Sequence, residues 1–304
     1  MDSFTKNFSG ALAGESPLLG RYDFPFSCDS VQMDSMLEIS IPWHWHDSFE
    51  FLLIEDGYVL CSTSHEKWLC GPGDALFLNS KTLHSLCCDP TARRARFQML
   101  SFDRRILSGS LTSVYEKKYI TPVANLKSLE GLYFPASDPA GEPIRKTLSR
   151  TIEDASREAF GFEFEIRNHL SDIWMELLRT LENTQGKRPL FSSPDDEKIK
   201  AMILFIRENF YRNISVREIA AAGIVSEREC FRCFKRALGV SPITYLVDHR
   251  IRVAARMLGE TDESIVKISS ACGFSTSSYF DKTFKSVLGC TPRQYRLRSR
   301  ANPQ

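Results

Sequence analysis

Residues 268–292 read ISSACGFSTSSYFDKTFKSVLGCTP, and this stretch decides the fold of the C-terminal third of the chain. A short apolar segment starts at Ile268 and ends near Gly273, and a second segment with helical spacing ends at Gly289, before Pro292. Glycine just past a helix, with proline soon afterwards, is typical of a helix end. The stretch therefore predicts two short helices joined by a turn, which is the helix-turn-helix pattern.

The same pattern occurs earlier, at residues 219–242, which read IAAAGIVSERECFRCFKRALGVSP. A duplication of this quality predicts two tandem units, with one residue added at the start of the second recognition helix. The matched pairs are Ile219 with Ile268 and Ser226 with Ser275 at an offset of 49, then Phe234 with Phe284, Gly239 with Gly289 and Pro242 with Pro292 at an offset of 50.

Helix boundaries in this region are marked by local signals. Ser215 with Glu218, and Ser226 with Glu229, have capping-box spacing and predict the starts of two helices. Between the two units, residues 242–258 carry apolar side chains at helical spacing. A rigid helix there can hold two recognition helices ~34 Å apart, so that both enter the major groove on one face of DNA.

These residues resemble the AraC/XylS family of bacterial regulators. The resemblance covers residues 195–298 and implies binding of double-stranded DNA, with activation through RNA polymerase more often than repression. One position departs from the pattern, because Ile224 stands where the second unit has Gly273, so the first turn either bends differently or uses Gly223. The matching positions are Ile268, Gly273, Phe274, Tyr279, Phe280, Phe284, Lys285, Gly289 and Pro292.

The resemblance also implies which side chains contact DNA. Base contacts are expected from the exposed face near the start of each recognition helix, where guanidinium groups can bond guanine and aromatic edges can pack on thymine methyl groups. Burial is the alternative for Phe231, and a solvated charge is the alternative for Arg236. The expected base contacts are Arg228, Phe231 and Arg232 in the first unit and Ser278, Tyr279 and Lys282 in the second. Phosphate contacts are expected from Lys235, Arg236, Lys285 and the helix N-termini at Ser226 and Thr276.

The N-terminal part has a different texture, with short apolar runs separated by turns over residues 35–102, which predicts a small antiparallel barrel or sandwich. His44, His46 and Glu50, followed by His84, resemble the two motifs of the cupin barrels. Equal parity on a strand would point His44, His46 and Glu50 inward. The second motif departs from the usual pattern, since cupins usually have Pro and Gly where this chain has Asn79 and Lys81.

Three interpretations of this polar cluster stay open. Three imidazoles and a carboxylate can bind a divalent transition metal at His44, His46, Glu50 and His84. The N-terminal halves of AraC/XylS regulators are themselves cupin-like, so the cluster can instead line an organic effector pocket, and a sugar would suit aromatic walls. It can also be a satisfied polar core. The expected pocket walls are Trp43, Trp45, Trp68 and Phe77.

A stripe of apolar residues in 162–181 has helical spacing. It predicts a helix that packs on its own barrel, forms a dimer interface, or does both. Polar residues with Gly and Pro follow and predict a linker. The expected organisation is a loose lead-in at 1–20, a cupin-like sensor domain at 21–142, a helical dimerisation segment at 143–182, a linker at 183–194 and a DNA-binding domain at 195–304.

Composition agrees with this division. Residues 195–304 hold 19 Lys+Arg and 12 Asp+Glu, a net charge of +7, whereas the remainder holds 20 basic and 26 acidic residues, a net of −6. The basic part is therefore the one expected to meet a polyanion. The start of the chain lacks the layout of a signal peptide, and no membrane-length apolar run is present, so a cytoplasmic protein is expected. Nine cysteines without a regular framework predict reduced thiols, including the Cys230 and Cys233 pair.

The sequence as a whole predicts an α+β multidomain protein, with a cupin-like β-barrel and trailing helices followed by an all-α domain with two helix-turn-helix units. The expected function is a DNA-binding transcription regulator that forms a homodimer and responds to a small-molecule effector, with no enzymatic activity and no required cofactor. The alternatives are a metal-dependent cupin enzyme or metal sensor fused to a DNA-binding domain, and a ligand-free regulator controlled by its abundance.

Overall fold

A computed structural model describes residues 23–34, 40–89, 94–184 and 195–301. The expected lead-in and residues 185–194 of the expected linker lie outside these ranges. The chain divides into two compact units, with the boundary between Ser192 and Ser193. Within the described ranges, no helix is both long and apolar enough to cross a membrane.

The N-terminal unit is built on two antiparallel sheets, as the alternation of short apolar runs and turns predicts. The first sheet has the strand order β1-β8-β3-β6-β9, and the second has the order β2-β7-β4-β5. The strands are β1 (Phe26–Asp34), β2 (Ser40–His44), β3 (Phe49–Asp56), β4 (Val59–Thr63), β5 (Lys67–Cys70), β6 (Ala75–Leu78), β7 (His84–Cys88), β8 (Arg94–Phe102) and β9 (Gly131–Phe134).

Two apolar cores lie on opposite faces of the first sheet. Leu52 and Leu76 point between the two sheets and pack with side chains from both. Phe51 and Phe77 point to the other face and pack under helices. The alternation of side chains along a strand places these neighbours on opposite faces. This unit also contains α1 (Arg105–Ser108), a π-helical turn (Glu116–Ile120), α2 (Thr121–Ala124), a short 3-10 turn (Pro139–Gly141), α3 (Glu142–Arg157) and α4 (Phe162–Thr184).

The apolar stripe of α4 is used inside the unit. Ile166, Leu170 and Leu177 are fully buried in the core over the first sheet. Trp174 lies 4.7 Å from Phe49 between ring centroids. Packing of this stripe on its own barrel is therefore confirmed, and its buried residues are not available as a dimer surface. Together with Ile173, these make five buried large apolar side chains. Their burial stabilises the unit by roughly 1.5–3 kcal/mol each.

The C-terminal unit is helical, and its helices begin where the sequence places caps. Ser215 and Glu218 form the complete capping box. Ser226 accepts from the backbone N–H of Glu229, whereas the Glu229 carboxylate accepts from Arg232 and Cys233. The helices are α5 (Asp195–Asn209), α6 (Val216–Ala222), α7 (Glu227–Leu238), α8 (Pro242–Glu260), α9 (Ile265–Ala271), α10 (Ser277–Leu288) and α11 (Pro292–Ala301).

The two helix-turn-helix turns share one backbone geometry. Ile224 has φ +54° and Gly273 has φ +77°, so both take the left-handed conformation. The next N–H donates back to the preceding helix in each unit, from Val225 to the Ala220 carbonyl and from Phe274 to the Ser269 carbonyl. The first turn therefore neither bends differently nor uses Gly223, and both alternatives are wrong, because Ile224 itself adopts the strained conformation.

The extra residue of the second unit lies before its recognition helix. Helices α7 and α10 are both 12 residues long, and their N-caps are Ser226 and Thr276, an offset of 50. The left-handed residues Ile224 and Gly273 are still 49 apart. The inserted residue is thus accommodated between Gly273 and the N-cap, immediately before the recognition helix at whose start the sequence predicted it.

We expect Ile224→Gly to stabilise the C-terminal unit by about 1 kcal/mol, because a left-handed backbone costs a residue with Cβ about 1–2 kcal/mol and glycine costs part of that in entropy. Ile224 is 93% exposed, so no packing is lost. Differential scanning calorimetry should show one transition of the full-length chain rising by ~4 °C or more.

The matched control is Gly223→Ala. Gly223 has an ordinary φ of −87°, but a Cβ there would lie 2.8 Å from Met202 Cγ and 3.2 Å from the Lys198 carbonyl. This variant should lower the same transition. An unchanged or lower transition for Ile224→Gly would contradict the expected strain.

Candidate DNA-binding surface and ligand site

The recognition helices α7 and α10 turn one apolar face into the C-terminal unit. Cys230 and Phe234 of α7 are buried, as are Phe280 and Phe284 of α10. Cys230 and Cys233 form no disulfide, and both are buried on this inward face. The orientation of each helix is therefore fixed by packing, and its opposite face is exposed.

Every side chain expected to contact DNA lies exposed on these helices. Phe231 is 44% exposed and Tyr279 is 48% exposed, so burial is not the role of Phe231. With the N-caps aligned, Arg228 corresponds to Ser278, and Arg232 corresponds to Lys282. The expected contacts are all in the exposed class, namely Arg228, Phe231, Arg232, Lys235 and Arg236 in α7 and Ser278, Tyr279, Lys282 and Lys285 in α10.

Two of the α7 cations already have partners within the helix. The Arg232 guanidinium donates to the Glu229 carboxylate at 2.6 Å, and the same hydrogen bond lowers the pKa of Glu229. The Lys235 ammonium donates to the carbonyl of Gly239 at 2.9 Å. Exposed pairs of this kind contribute only about 0–1 kcal/mol. A phosphate or a guanine edge can therefore replace either partner at small cost.

The N-termini of the two recognition helices differ in charge. Helix α7 carries Glu227 and Glu229 in its first turn, which opposes a phosphate at Ser226. The first turn of α10, residues 277–280, consists of Ser, Ser, Tyr and Phe, and Thr276 caps it. The free N–H groups of α10 therefore favour a phosphate more than those of α7 do. This difference comes from side chains in the first helical turn, and the resemblance to the family does not compare their charges.

The polar cluster of the N-terminal unit comes from both sheets. His44 ends β2 and pairs with His84 on β7 of the second sheet, whereas Glu50 lies on β3 of the first. His46 lies in the connection between β2 and β3. The expectation that one strand carries His44, His46 and Glu50 at equal parity is wrong, since the chain changes sheet between them. The four side chains nevertheless converge, and all are buried.

Backbone carbonyls fix the three imidazole rings. Nδ1 of His44 lies 2.8 Å from the Pro42 carbonyl oxygen. The corresponding distances are 3.1 Å from His46 to Ser48 and 2.8 Å from His84 to Thr82. Because a carbonyl only accepts, each Nδ1 carries a proton. The sequence does not predict these carbonyl contacts, because every residue type has the same backbone carbonyl.

Glu50 is the anion of the cluster. Its Oε2 lies 3.1 Å from Nε2 of His46 and accepts from the Ser101 hydroxyl at 3.2 Å. Burial would raise the pKa of Glu50, but the hydrogen bond and charge of His46, the charge of His84 and the Ser101 bond together hold its pKa below the ordinary value. Ser101, on β8, is a contributor that the motif resemblance does not include.

Two buried atoms of the cluster have no hydrogen-bond partner among the described residues, namely Glu50 Oε1 and His84 Nε2, which lie 3.8 Å apart. An unsatisfied buried polar atom costs about 1–3 kcal/mol. Burial lowers the pKa of His84 to about 4, so its imidazole is neutral near pH 7 and its Nε2 carries a lone pair. A satisfied polar core does not account for these two atoms.

The expected pocket walls have different positions. Phe77 is completely buried on the helical face of the first sheet, 5.0 Å from Phe51 between ring centroids, so it does not line the cluster. Side chains alternate along a strand, so Phe77 points to the face opposite that of its neighbours Leu76 and Leu78. Trp68 is half-buried against the core between the sheets. Trp43 and Trp45 alternate with the two histidines and are also half-buried.

Both units match families of known proteins. A family model described as a helix-turn-helix domain matches residues 219–298, and one described as an AraC-like ligand binding domain matches residues 38–174. The uncharacterized HTH-type transcriptional regulator YdeC of Bacillus subtilis (strain 168) is 26% identical and covers 90% of this chain and 92% of its own length. The HTH-type transcriptional activator RhaS of Klebsiella pneumoniae (strain 342) is 24% identical, over 84% of this chain and 88% of its own. The crystal structure of unsaturated fatty acid-bound ToxT from Vibrio cholerae is 13% identical with a TM-score of 0.49, over 89% of this chain and 94% of that chain.

We expect Arg232→Ala to weaken binding to a selected DNA site by ~1–3 kcal/mol and to relax preference at one base position, because a guanidinium that reads a base is lost. Lys285→Ala should instead weaken binding about equally at all sequences and lower the salt slope by ~1. Both effects are measured by fluorescence anisotropy on sites selected from random duplex DNA.

Arg217→Ala is the matched control for lost charge, since Arg217 is an exposed arginine on α6, outside the recognition helices. It should leave base preference unchanged. If Arg232→Ala also leaves the preference at every position unchanged, its assignment as a base-reading residue is wrong.

Proposed function

Because the chain belongs to the AraC family of DNA-binding transcription regulators and is not an enzyme, we propose that it binds paired half-sites as a homodimer and that a ligand in its N-terminal unit changes that binding. The observation that supports this most is the internal duplication. Two recognition helices of equal length, each with exposed side chains at matched positions, follow turns of the same geometry. A single chain thus offers two adjacent major-groove readers.

Charge supports the assignment of DNA binding to the C-terminal unit. Its net charge of +7 over residues 195–304 contrasts with −6 in the remainder. Phosphate neutralisation by such a surface gives an affinity that falls with salt. The acidic N-terminal unit is suited to a different task, which in this family is ligand binding, and the proposed site of action is the cytoplasm.

Activation through RNA polymerase is the proposed output. The relative RhaS is named as an activator. Exposed apolar side chains outside the recognition helices, such as Leu204 on α5 and Val266 on α9, offer contact points for a protein partner. A bound regulator that touches polymerase raises transcription by adding favourable contacts to the promoter complex.

The proposed dimer surface is the outer face of α4 rather than its buried stripe. Phe164 is 70% exposed and Met175 is 46% exposed. They are eleven residues apart, which is three helical turns, so they share one face. Phe160, just before the helix, is fully exposed. A second copy of this chain would bury these apolar side chains across a two-fold axis.

Selection from a pool of random duplex DNA tests the function. The full-length chain should enrich a motif of two half-sites and bind it ~10³-fold or more tightly than random DNA at the same salt concentration. Arg232→Ala combined with Lys282→Ala should remove the enrichment. Equal binding to all duplexes, or no binding, would overturn the proposed function.

The dimer is tested by sedimentation equilibrium of Phe164→Glu. Placing a carboxylate in an apolar interface should weaken self-association at least tenfold, because a desolvated charge without a partner is costly. Leu111→Glu is the control, since Leu111 is an exposed apolar residue of the same unit outside α4. Equal self-association of the two variants would rule out this face.

A further inference from the structure

The His44, His46 and His84 cluster has the dimensions of an ion site. One ligand atom from each ring lies within 4.8 Å of the others. The ring centroids are 4.2 Å apart for His44 and His84, 5.3 Å for His46 and His84, and 5.6 Å for His44 and His46. A sugar ring between two aromatic faces needs about 7 Å, since each contact takes about 3.5 Å. The space among these rings therefore suits a single atom.

The rings are also oriented as ligands. All three Nδ1 atoms contact backbone carbonyls, so Nε2 is the nitrogen of each ring that can serve as a metal ligand. Metal-binding histidines characteristically use their other nitrogen in this way, to fix the tautomer and the ring orientation. Three independent carbonyls fix the orientations of the three rings, which distinguishes this cluster from histidines that merely bond one another.

The unsatisfied atoms point to a cation. Glu50 Oε1 and His84 Nε2 are both buried, they lie 3.8 Å apart, and neither has a hydrogen-bond partner among the described residues. A positive ion between them would satisfy the carboxylate oxygen and the imidazole nitrogen together. A carboxylate also supplies a charge that partly balances such an ion.

We propose that His44, His46 and His84, together with Glu50, bind one divalent transition-metal ion in the ligand-binding domain. Imidazole ligands suit Zn²⁺, Fe²⁺, Ni²⁺ and Cu²⁺, and a single carboxylate among them is compatible with each. One part of this inference rests on the proposed function, namely that the ion is the ligand of the regulator or part of its ligand site.

The first experiment measures the metal content of the full-length chain, purified untagged without chelator, by inductively coupled plasma mass spectrometry. About one transition-metal ion per chain is expected, with a drop of ~10-fold or more in His46→Ala and His84→Ala. His65→Ala is the matched control, because His65 is a half-buried histidine of the same unit that bonds Glu130 instead. It should keep the wild-type metal content.

A second measurement guards against variants that fail to fold. Chelator-treated wild-type chain is titrated with Co²⁺, and the visible ligand-field absorption and the melting temperature are followed. Both should rise and saturate near one equivalent, and Glu50→Gln, which keeps the shape of the side chain, should shift the titration to higher Co²⁺ concentration. Substoichiometric metal in the purified chain together with no Co²⁺ response would overturn the site and leave a water-bridged polar cluster.

DNA selection with metal-loaded and metal-free chain separates the two proposals. A chain that selects DNA but binds no metal overturns only the metal site. A chain that binds one metal ion but selects no DNA overturns only the proposed function. A change of ~5-fold or more in operator affinity between the two forms is the result expected if the ion is the effector.

Discussion

The arrangement of the two DNA-reading units depends on one buried guanidinium. Arg250, in α8, donates from Nε to the Phe210 carbonyl and from Nη2 to the Arg212 carbonyl, both at 2.8 Å, just beyond the end of α5. Its charge also lies 5.9 Å from the ring centroid of Phe274, in the second unit. A buried cation is costly unless its donors are used. Two of its donors are used on the segment that follows α5, and the ring contact joins that segment to the second helix-turn-helix unit.

This contact explains why the two turns differ in residue but not in geometry. A Cβ at Gly273 would lie 2.6 Å from the Phe210 carbonyl and 3.0 Å from Arg250 Nη2, so the second turn needs glycine for space as well as for its positive φ. Ile224 points into solvent, so its only cost is the free energy of the left-handed backbone conformation. The turn glycine of the family pattern is therefore replaced in the first helix-turn-helix unit, where a side chain has room.

The sequence predicted the helices of the C-terminal unit because its signals are local. Caps such as Ser215, terminal glycines and apolar spacing each act within a few residues, and their repetition at offsets of 49 and 50 supports them. The ligand site depends on contacts between distant strands. The sequence shows the histidines and Glu50 as residue types. Strand pairing, which it does not show, determines the change of sheet after His44, the carbonyls that orient the rings and the position of Phe77 on the helical face of the first sheet. Periodicity predicts the α4 stripe but cannot say which partner covers it.

The position of the polar cluster determines how a ligand there can act. His44 and His84 belong to the second sheet, Glu50 and Ser101 to the first, and His46 to the connection between them. A ligand that needs side chains from both sheets binds well only when the sheets are packed at one spacing. Its binding free energy therefore differs between packing arrangements, and only such a difference can shift a conformational equilibrium. Ligands held by one sheet alone would bind equally in every arrangement and would regulate nothing.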